Sequence, residues 1–311
     1  MKRKFQVMTA VLCMALFVLM ALGSGSSKTD TKEIVTSNNG DASGTKENGD
    51  NESPTPDKGN DDSSAVTIGE QVLLDKGGIV ITAKEYVSDI IWGDGIKLLV
   101  ENNTDKAVTV GCNALIVNNC MISDLFVADV AAGKKSNEVM YLSSSELKAA
   151  GIDSVGQVEI YFHVYDSDTY EDILDPEHVT IKTSKFDNMD TTPDDSGTEL
   201  YNKDGIRIVG KTVDENSFWG SAILLYCENK SGKNVGISVE DMSINGFMLS
   251  PFFSTTVYDG KMAFDEVTVF SSELEENGIE EINEVELKFR IFDADTYKTI
   301  AETDAISFSA K

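Results

Sequence analysis

Histidine is nearly absent from this chain of 311 residues: only His163 and His178 occur. A catalytic triad or a histidine-based metal cage would have to use one of them, yet no G-x-S-x-G or H-E-x-x-H pattern flanks either. No phosphate-cradling G-x-x-x-x-G-K-[ST] is present, and no G-x-G-x-x-G stands between a strand and a helix. Basic residues are scarce as well, 26 against 53 acidic ones, for a net charge of −27. Removing Lys2, Arg3 and Lys4 with an N-terminal signal takes −27 to −30. Such a field repels nucleic-acid phosphates and anionic headgroups and attracts divalent cations or basic partners. Carboxylate pairs are so plentiful here that no single pair points to acid–base catalysis. These absences predict a protein that is not an enzyme.

Cysteines are few and odd in number once Cys13 is set aside with the signal: Cys112, Cys120 and Cys227. They cannot all pair within the chain, and their spacing shows no disulfide framework. Free thiols are expected, with a Cys112–Cys120 bridge as the alternative. Residues 24–66 contain no aromatic side chain and are rich in Ser, Gly, Asn, Asp and Thr. A segment of that composition cannot bury enough apolar surface to offset its chain entropy, so it reads as a disordered tether. Before it, Lys2-Arg3-Lys4 and the apolar run Val7 to Leu22 read as an export signal over residues 1–23. Ala21-Leu22-Gly23 suits cleavage before Ser24, and it would also suit a lipid-modified cysteine, but serine stands there. Export, with secretion or surface association, is the expected destination. Membrane contact is expected only through an uncleaved signal, since the apolar run is short for a span.

What the chain does have is itself, twice. At an offset of 127 residues, Gly78-Ile79-Val80-Ile81 returns as Gly205-Ile206-Arg207-Ile208, Trp92-Gly93 as Trp219-Gly220, and Ser144-Ser145-Glu146-Leu147 as Ser271-Ser272-Glu273-Leu274. Asp166-Ser167-Asp168-Thr169-Tyr170 returns as Asp293-Ala294-Asp295-Thr296-Tyr297. About a third of the paired positions are identical, without a gap from Leu73 to Ile173. The expected order is a signal (1–23), a tether (24–66), repeat 1 (67–184), a linker (185–196) and repeat 2 (197–311).

Within each repeat the periodicity is that of strands. Val158, Ile160, Phe162 and Val164 alternate with Glu159, Tyr161, His163 and Tyr165, and Val285, Leu287, Phe289 and Ile291 repeat the pattern. Asn245-Gly246 and Asn118-Asn119 read as two-residue hairpins, because both positions favour positive φ. Asn102-Asn103-Thr104-Asp105 and Asn229-Lys230-Ser231-Gly232 read as turns, although each is formally a glycosylation sequon. A short helix follows Ser144 or Ser271 as its cap and ends at Gly151 or Gly278. The predicted fold is all-β: two tandem immunoglobulin-like β-sandwich domains, each with one short helix, behind the disordered N-terminal tether.

Two motifs invite a functional reading. Asp166 and Asp168, with Asp293 and Asp295, offer paired carboxylates to Ca²⁺; alternatively they accept backbone N–H groups in a tight turn, with Tyr170 restarting the next strand. Trp92 and Trp219 either stack on a sugar ring or partner, or fold back over the end of the sandwich. The partner expected is an extracellular protein or a glycan. Repeat 2 adds Phe218, Phe247, Phe252, Phe253, Tyr258 and Phe264, most of which read as core, and any surplus aromatic surface favours a contact between the repeats or with a partner.

The turn Glu101-Asn102-Asn103-Thr104-Asp105-Lys106-Ala107-Val108, with Ser143-Ser144-Ser145-Glu146-Leu147 and Phe162-x-x-x-Asp166-Ser167-Asp168-Thr169-Tyr170, resembles a group of immunoglobulin-like domains of unknown function. Those domains occur in secreted and lipid-anchored proteins of Gram-positive bacteria, often in tandem behind a tether. The resemblance covers both repeats and implies an immunoglobulin-like fold without catalytic residues. The absent lipid-site cysteine departs from the anchored members.

Overall fold

The computed structural model describes residues 65–90, 93–217 and 220–309. The expected export signal and nearly all of the expected tether lie outside these residues, as do Trp92 and Trp219. Residues 65–311 form one compact unit.

Repeat 1 runs β1 (Gln71–Lys76), β2 (Ile79–Asp89), β3 (Gly93–Asn102), β4 (Val108–Val117), β5 (Cys120–Ile122), β6 (Val127–Val130), β7 (Lys135–Tyr141), α1 (Ser144–Ala149), β8 (Gln157–Asp166) and β9 (Asp172–Lys182). Repeat 2 returns the same series: β10 (Thr198–Lys203), β11 (Ile206–Ser217), β12 (Gly220–Asn229), β13 (Val235–Ile244), β14 (Phe247–Leu249), β15 (Ser254–Val257), β16 (Lys261–Phe270), α2 (Ser271–Glu276) and β17 (Glu284–Asp293). β18 (Thr299–Glu302) and β19 (Ile306–Ser309) follow it. The molecule is thus mainly β, with sandwich-like sheets and one short helix per repeat.

The predicted alternation becomes the core. Ile79, Ile81, Ile96, Leu98 and Val100 on β2 and β3 pack against Val110, Leu115, Val158, Ile160 and Phe162 from the opposite layer. In repeat 2, Ile206, Ile208, Ile223, Leu225 and Cys227 meet Ile237, Val285, Leu287, Phe289 and Ile291. The predicted hairpins form as read: Asn118 and Asn119 take φ of 47° and 75°, Asn245 and Gly246 take 50° and 83°. Gly151 and Gly278 end the helices with φ of 69° and 65°. The cap assignment is corrected by one residue: Ser144 and Ser271 are the first helical residues, and Ser143 and Phe270 hold the cap positions, without a side-chain cap bond. All three cysteines among the described residues are free thiols.

The layers are not confined to their repeats. Sheet one is β1-β2-β3-β7; sheet three is β14-β13-β17-β18, with β15 on β13 and β19 on β17. Sheet two has nine strands in the order β10-β11-β12-β16-β5-β4-β8-β9, with β6 also on β4, and so runs through both repeats. The joint is a parallel pair, Met262 opposite Cys120 and Ala263 opposite Met121. Residues 185–196 are also drawn in: Phe186–Asn188 form a 3-10 turn, and Lys211 donates to the Asp194 and Ser196 carbonyls at 2.8 and 2.6 Å.

Candidate functional site

At one end of each repeat, two of the duplicated motifs meet. Asn102 is 1% exposed and Asn229 fully buried, and each side chain makes the same bonds. Asn102 Nδ2 donates to the carbonyls of Lys106 (2.7 Å) and Val130 (2.9 Å), while its Oδ1 accepts from the N–H and hydroxyl of Thr104. Asn229 repeats this with Lys233, Val257 and Ser231. An amide so enclosed is part of the fold and closed to glycosylation in the native state. The turn it shapes aims Lys106 at Asp166 (3.0 Å) and Lys233 at Asp293 (3.2 Å).

Asp166 also accepts the N–H groups of Asp168 and Thr169, both at 3.0 Å on Oδ1. The hydrogen bond from Lys106 and those two N–H groups hold its carboxyl at about 2. Asp293 accepts the N–H and hydroxyl of Thr296 at 2.9 and 2.8 Å, and these bonds lower its pKa. Asp168 and Asp295 are exposed at the tip. Ca²⁺ takes six to eight oxygens. Here an ammonium group occupies one side of the carboxylate and N–H donors the other, so Asp166 and Asp293 do not fit a Ca²⁺ cage. Among the described residues no group of three or more His, Cys, Asp or Glu is arranged to hold a metal.

The tyrosine after the turn does something the sequence did not suggest. Tyr170 and Tyr297 do not restart a strand; they sit at φ of 58° and 59°, in the left-handed region that bulky residues rarely adopt. Each N–H donates back to the aspartate carbonyl, Tyr170 to Asp166 at 2.9 Å and Tyr297 to Asp293 at 2.7 Å. The ring then stacks on the last outward aromatic of the preceding strand, Tyr165 at 6.1 Å and Phe292 at 5.9 Å. A positively charged or ionisable neighbour extends each stack: His163 lies 5.1 Å from Tyr165, and the Arg290 guanidinium lies 4.8 Å above Phe292. Tyr170 and Tyr297 are each 51% exposed. Each repeat therefore presents the same half-open aromatic stack at the same corner. Identity at Tyr170 and Tyr297 was the signal; the positive φ that turns the ring onto the sheet was not readable from it.

The second cluster lies at the joint. Glu159, expected to face solvent, is 6% exposed, because the side chains of repeat 2 cover it. Its Oε1 accepts from Lys261 at 2.6 Å, and His178 lies 3.2 Å from Oε2. Lys261 also donates to Asn119 Oδ1 at 2.9 Å. Tyr161 stacks on His178 (4.4 Å) and meets Tyr258 edge-on (5.0 Å). His178 lies in strand β9, opposite Tyr161, although the preceding Asp175-Pro176-Glu177 has the composition of a turn. At the sheet edge a strand tolerates the N–H that Pro176 lacks. Apolar residues line the joint: Cys120 and Ala150 of repeat 1 pack with Val209, Tyr226, Met262 and Phe264 of repeat 2. Burial pushes the Cys120 thiol up to about 12 and Tyr258 to about 12, so neither ionises near neutral pH.

A shallow cleft of about 190 Å³ lies beside α2, lined by Ser221, Ser271, Leu274, Glu275, Ile279 and Ile282. It is smaller than the usual small-molecule pocket of about 300–1,000 Å³. No helix among the described residues is long and apolar enough to cross a membrane.

No family model matches the chain, and no curated protein matches it. Among solved structures it is similar to the YadV chaperone, at 14% identity over 75% of this chain and 99% of that one, with a TM-score of 0.23. It is similar to Bacteroides uniformis β-glucuronidase 2, at 11% identity and a TM-score of 0.23, over 75% of this chain but only 26% of that enzyme. The Salmonella enterica SafA pilin in complex with the SafB chaperone is matched at 9% identity over 69% of this chain and 88% of that one, with a TM-score of 0.20. At these scores the likenesses bear on neither family nor activity.

Proposed function

We propose that this chain is an exported bacterial cell-envelope or secreted protein, in which two immunoglobulin-like sandwiches act without catalysis as an extracellular binding and spacing module. The observation that carries this reading is the joint. β5 and β16 pair across the repeats, Lys261 reaches the buried Glu159 across them, and an apolar cluster seals one face, so both aromatic corners are held on one body. A binding corner repeated on a fixed scaffold engages a repetitive ligand with raised effective concentration. Strand order supports the immunoglobulin-like assignment: β2-β3-β7 in one layer and β5-β4-β8-β9 in the other follow the two-sheet Greek-key order of that fold. The basic start and short apolar run before residue 24 support export.

The test is fractionation of producing cells with N-terminal sequencing of the recovered protein. Recovery from the medium or surface with Ser24 at the N-terminus is expected; a protein confined to the cytoplasm with Met1 intact defeats the reading.

A glycan is the ligand class that the corners favour, because an exposed ring stacked on a second ring is a platform for the apolar face of a sugar. Retention by polysaccharide in affinity electrophoresis should fall in Tyr170→Gly/Tyr297→Gly, since glycine keeps the positive φ and removes only the ring. Loss in Trp92→Ala/Trp219→Ala instead would move the site to the tryptophans. Retention unchanged in both, or absent in the unaltered chain, removes the glycan reading and leaves a protein ligand or spacing alone.

A further inference from the structure

The joint between the repeats is heterologous: β5 of one repeat meets β16 of the next, and the two surfaces differ. A contact of this kind between two equivalent units uses one surface of each and leaves one of each over. The surface left on repeat 2 is β14, which stands where β5 stands in repeat 1. The surface left on repeat 1 is β7, which stands where β16 stands in repeat 2. Among the described residues, β14 pairs as a strand only with β13, and β7 only with β3. We propose that β14 of one molecule pairs in parallel with β7 of a second copy, so that copies join head to tail in the geometry already used inside the chain.

Three observations select this occupant. First, β14 is an apolar edge: Phe247 is 47% and Met248 66% exposed, whereas their counterparts Cys120 and Met121, covered by the internal joint, are 0% and 9% exposed. Short edges of this kind template strand addition unless blunted. Second, the residues that make the internal joint recur at the unused surfaces. Met248 repeats Met121, Glu286 repeats Glu159, and Lys134 repeats Lys261, so the ion pair Lys261–Glu159 has a ready intermolecular equivalent in Lys134 and Glu286. Third, the charges are complementary. Both ends of the β14 hairpin are tied to the stretch 271–286, through Glu273 to the Ser250 N–H and through Asn245 to Glu281 and Glu284. That stretch holds seven glutamates and no basic residue. β7 begins with Lys134-Lys135 just before and at its first position; Lys135 pairs with Glu101 within the chain, which leaves Lys134 as the charge that faces the glutamates. Pairing β14 with a second β14 about a two-fold axis would instead set two glutamate runs against each other.

The intermolecular contact is weaker than the internal one. Lys135 and Asn137 stand where repeat 2 has Met262 and Phe264, and no linker holds the surfaces together. A short linker supplies about millimolar effective concentration, so free copies should associate only toward that range or where they are crowded.

The internal register, Met262 opposite Cys120 and Ala263 opposite Met121, places Lys135 of the second copy opposite Phe247. Full chains carrying Phe247→Cys are mixed at about 1 mM with chains carrying Lys135→Cys and mildly oxidised. The mixed disulfide dimer should exceed either like dimer, and should exceed by several-fold the yield with Asn137→Cys, two residues out of register. In parallel, sedimentation equilibrium of the unaltered chain should show mass rising with concentration above 33.8 kDa, and Met248→Glu should abolish the rise. Because Phe247, Met248 and the Lys135 side chain are exposed, these substitutions leave the fold intact. Dominant Phe247→Cys like dimers, equal yields in and out of register, or a mass fixed at the monomer value each overturn the proposal.

Discussion

Asn102 and Asn229 show how much one amide settles at the scale of a residue. Each fixes the turn that aims a lysine at the aspartate corner, and removing it takes away the side-chain bonds to the Val130 or Val257 carbonyl and from the Thr104 or Ser231 N–H, while the hydroxyl keeps the Lys106 or Lys233 carbonyl. Asn229→Ala should cost about 1–3 kcal/mol for each buried group left unpaired, read as a lower urea midpoint. The carboxylates predict a pH profile with two limbs. Burial raises Asp124 to about 6 and raises Glu146 and Asp265 as well, so the fold binds protons there more tightly than the unfolded chain does. Stability from these groups is fully present below the ordinary carboxylate range and is lost as pH rises through their raised values, about 6 for Asp124. Asp166 and Asp194 lie at about 2, so stability from them is present above about 4 and is lost as pH falls toward 2. Thermal unfolding should therefore show its highest midpoint near pH 4–5, and Asp124→Asn should flatten the limb between there and pH 6. Because an ammonium already faces each corner carboxylate, calcium or EDTA should leave the midpoint of the unaltered chain where it is.

At the scale of elements, the duplicated Ser-Ser-Glu-Leu acquires a reason. Glu146 on α1 reaches the backbone N–H of Ser123 at 2.6 Å, and Glu273 on α2 reaches Ser250 at 3.3 Å, so each helix clamps the loop that follows the hairpin strand. Glu146→Ala should lower the unfolding free energy by about 2 kcal/mol, the order of a hydrogen bond to a charged group, while Lys148→Ala on the same helix should change it little. Strands, hairpins and helix ends were legible because their causes are local: alternation at Val158 to Val164, positive φ at Asn245-Gly246, a glycine after each helix. Glu159 was not legible. Its sequence context is that of an outward residue, and its counterpart Glu286 is indeed exposed; only a second repeat, more than a hundred residues away, buries it. The asymmetry that records this is faint. Met262 and Phe264 are apolar on the outer face where repeat 1 has Lys135 and Asn137, and two copies must be laid side by side to see it. The aromatic corners were half visible, as repeated tyrosines whose backbone geometry the sequence does not encode by any simple rule.

For the whole molecule, a nine-stranded sheet through both repeats means that neither repeat unfolds without stripping the other's edge. Calorimetry of the unaltered chain should give one cooperative transition for residues 65–311. Writing the first repeat's residues into the joint, Met262→Lys with Phe264→Asn, should split it into two, since repeat 1 already tolerates those residues at the same strand positions. Lys261→Ala, which leaves Glu159 buried without its ammonium partner, should cost about 3–5 kcal/mol. If both variants still melt in one transition at the original midpoint, the joint is not what couples the repeats.

The parallel pair between β5 and β16 also imposes an order of events on synthesis. About 140 residues separate its two strands, and ribosomes add roughly 5–20 residues per second. Repeat 1 can complete its own layers while the rest of the chain is still being made, and for roughly 4–16 seconds after β9 is made its Cys120-Met121-Ile122 edge has no β16 to pair with. Contacts between distant parts of a chain close last and slowly, so the nascent protein passes through a stage in which one finished sandwich carries an open apolar edge among many identical neighbours. Misassembly between chains, rather than failure within a repeat, is then the characteristic hazard of making this protein, and slowing synthesis after residue 184 should raise the yield of mispaired aggregates.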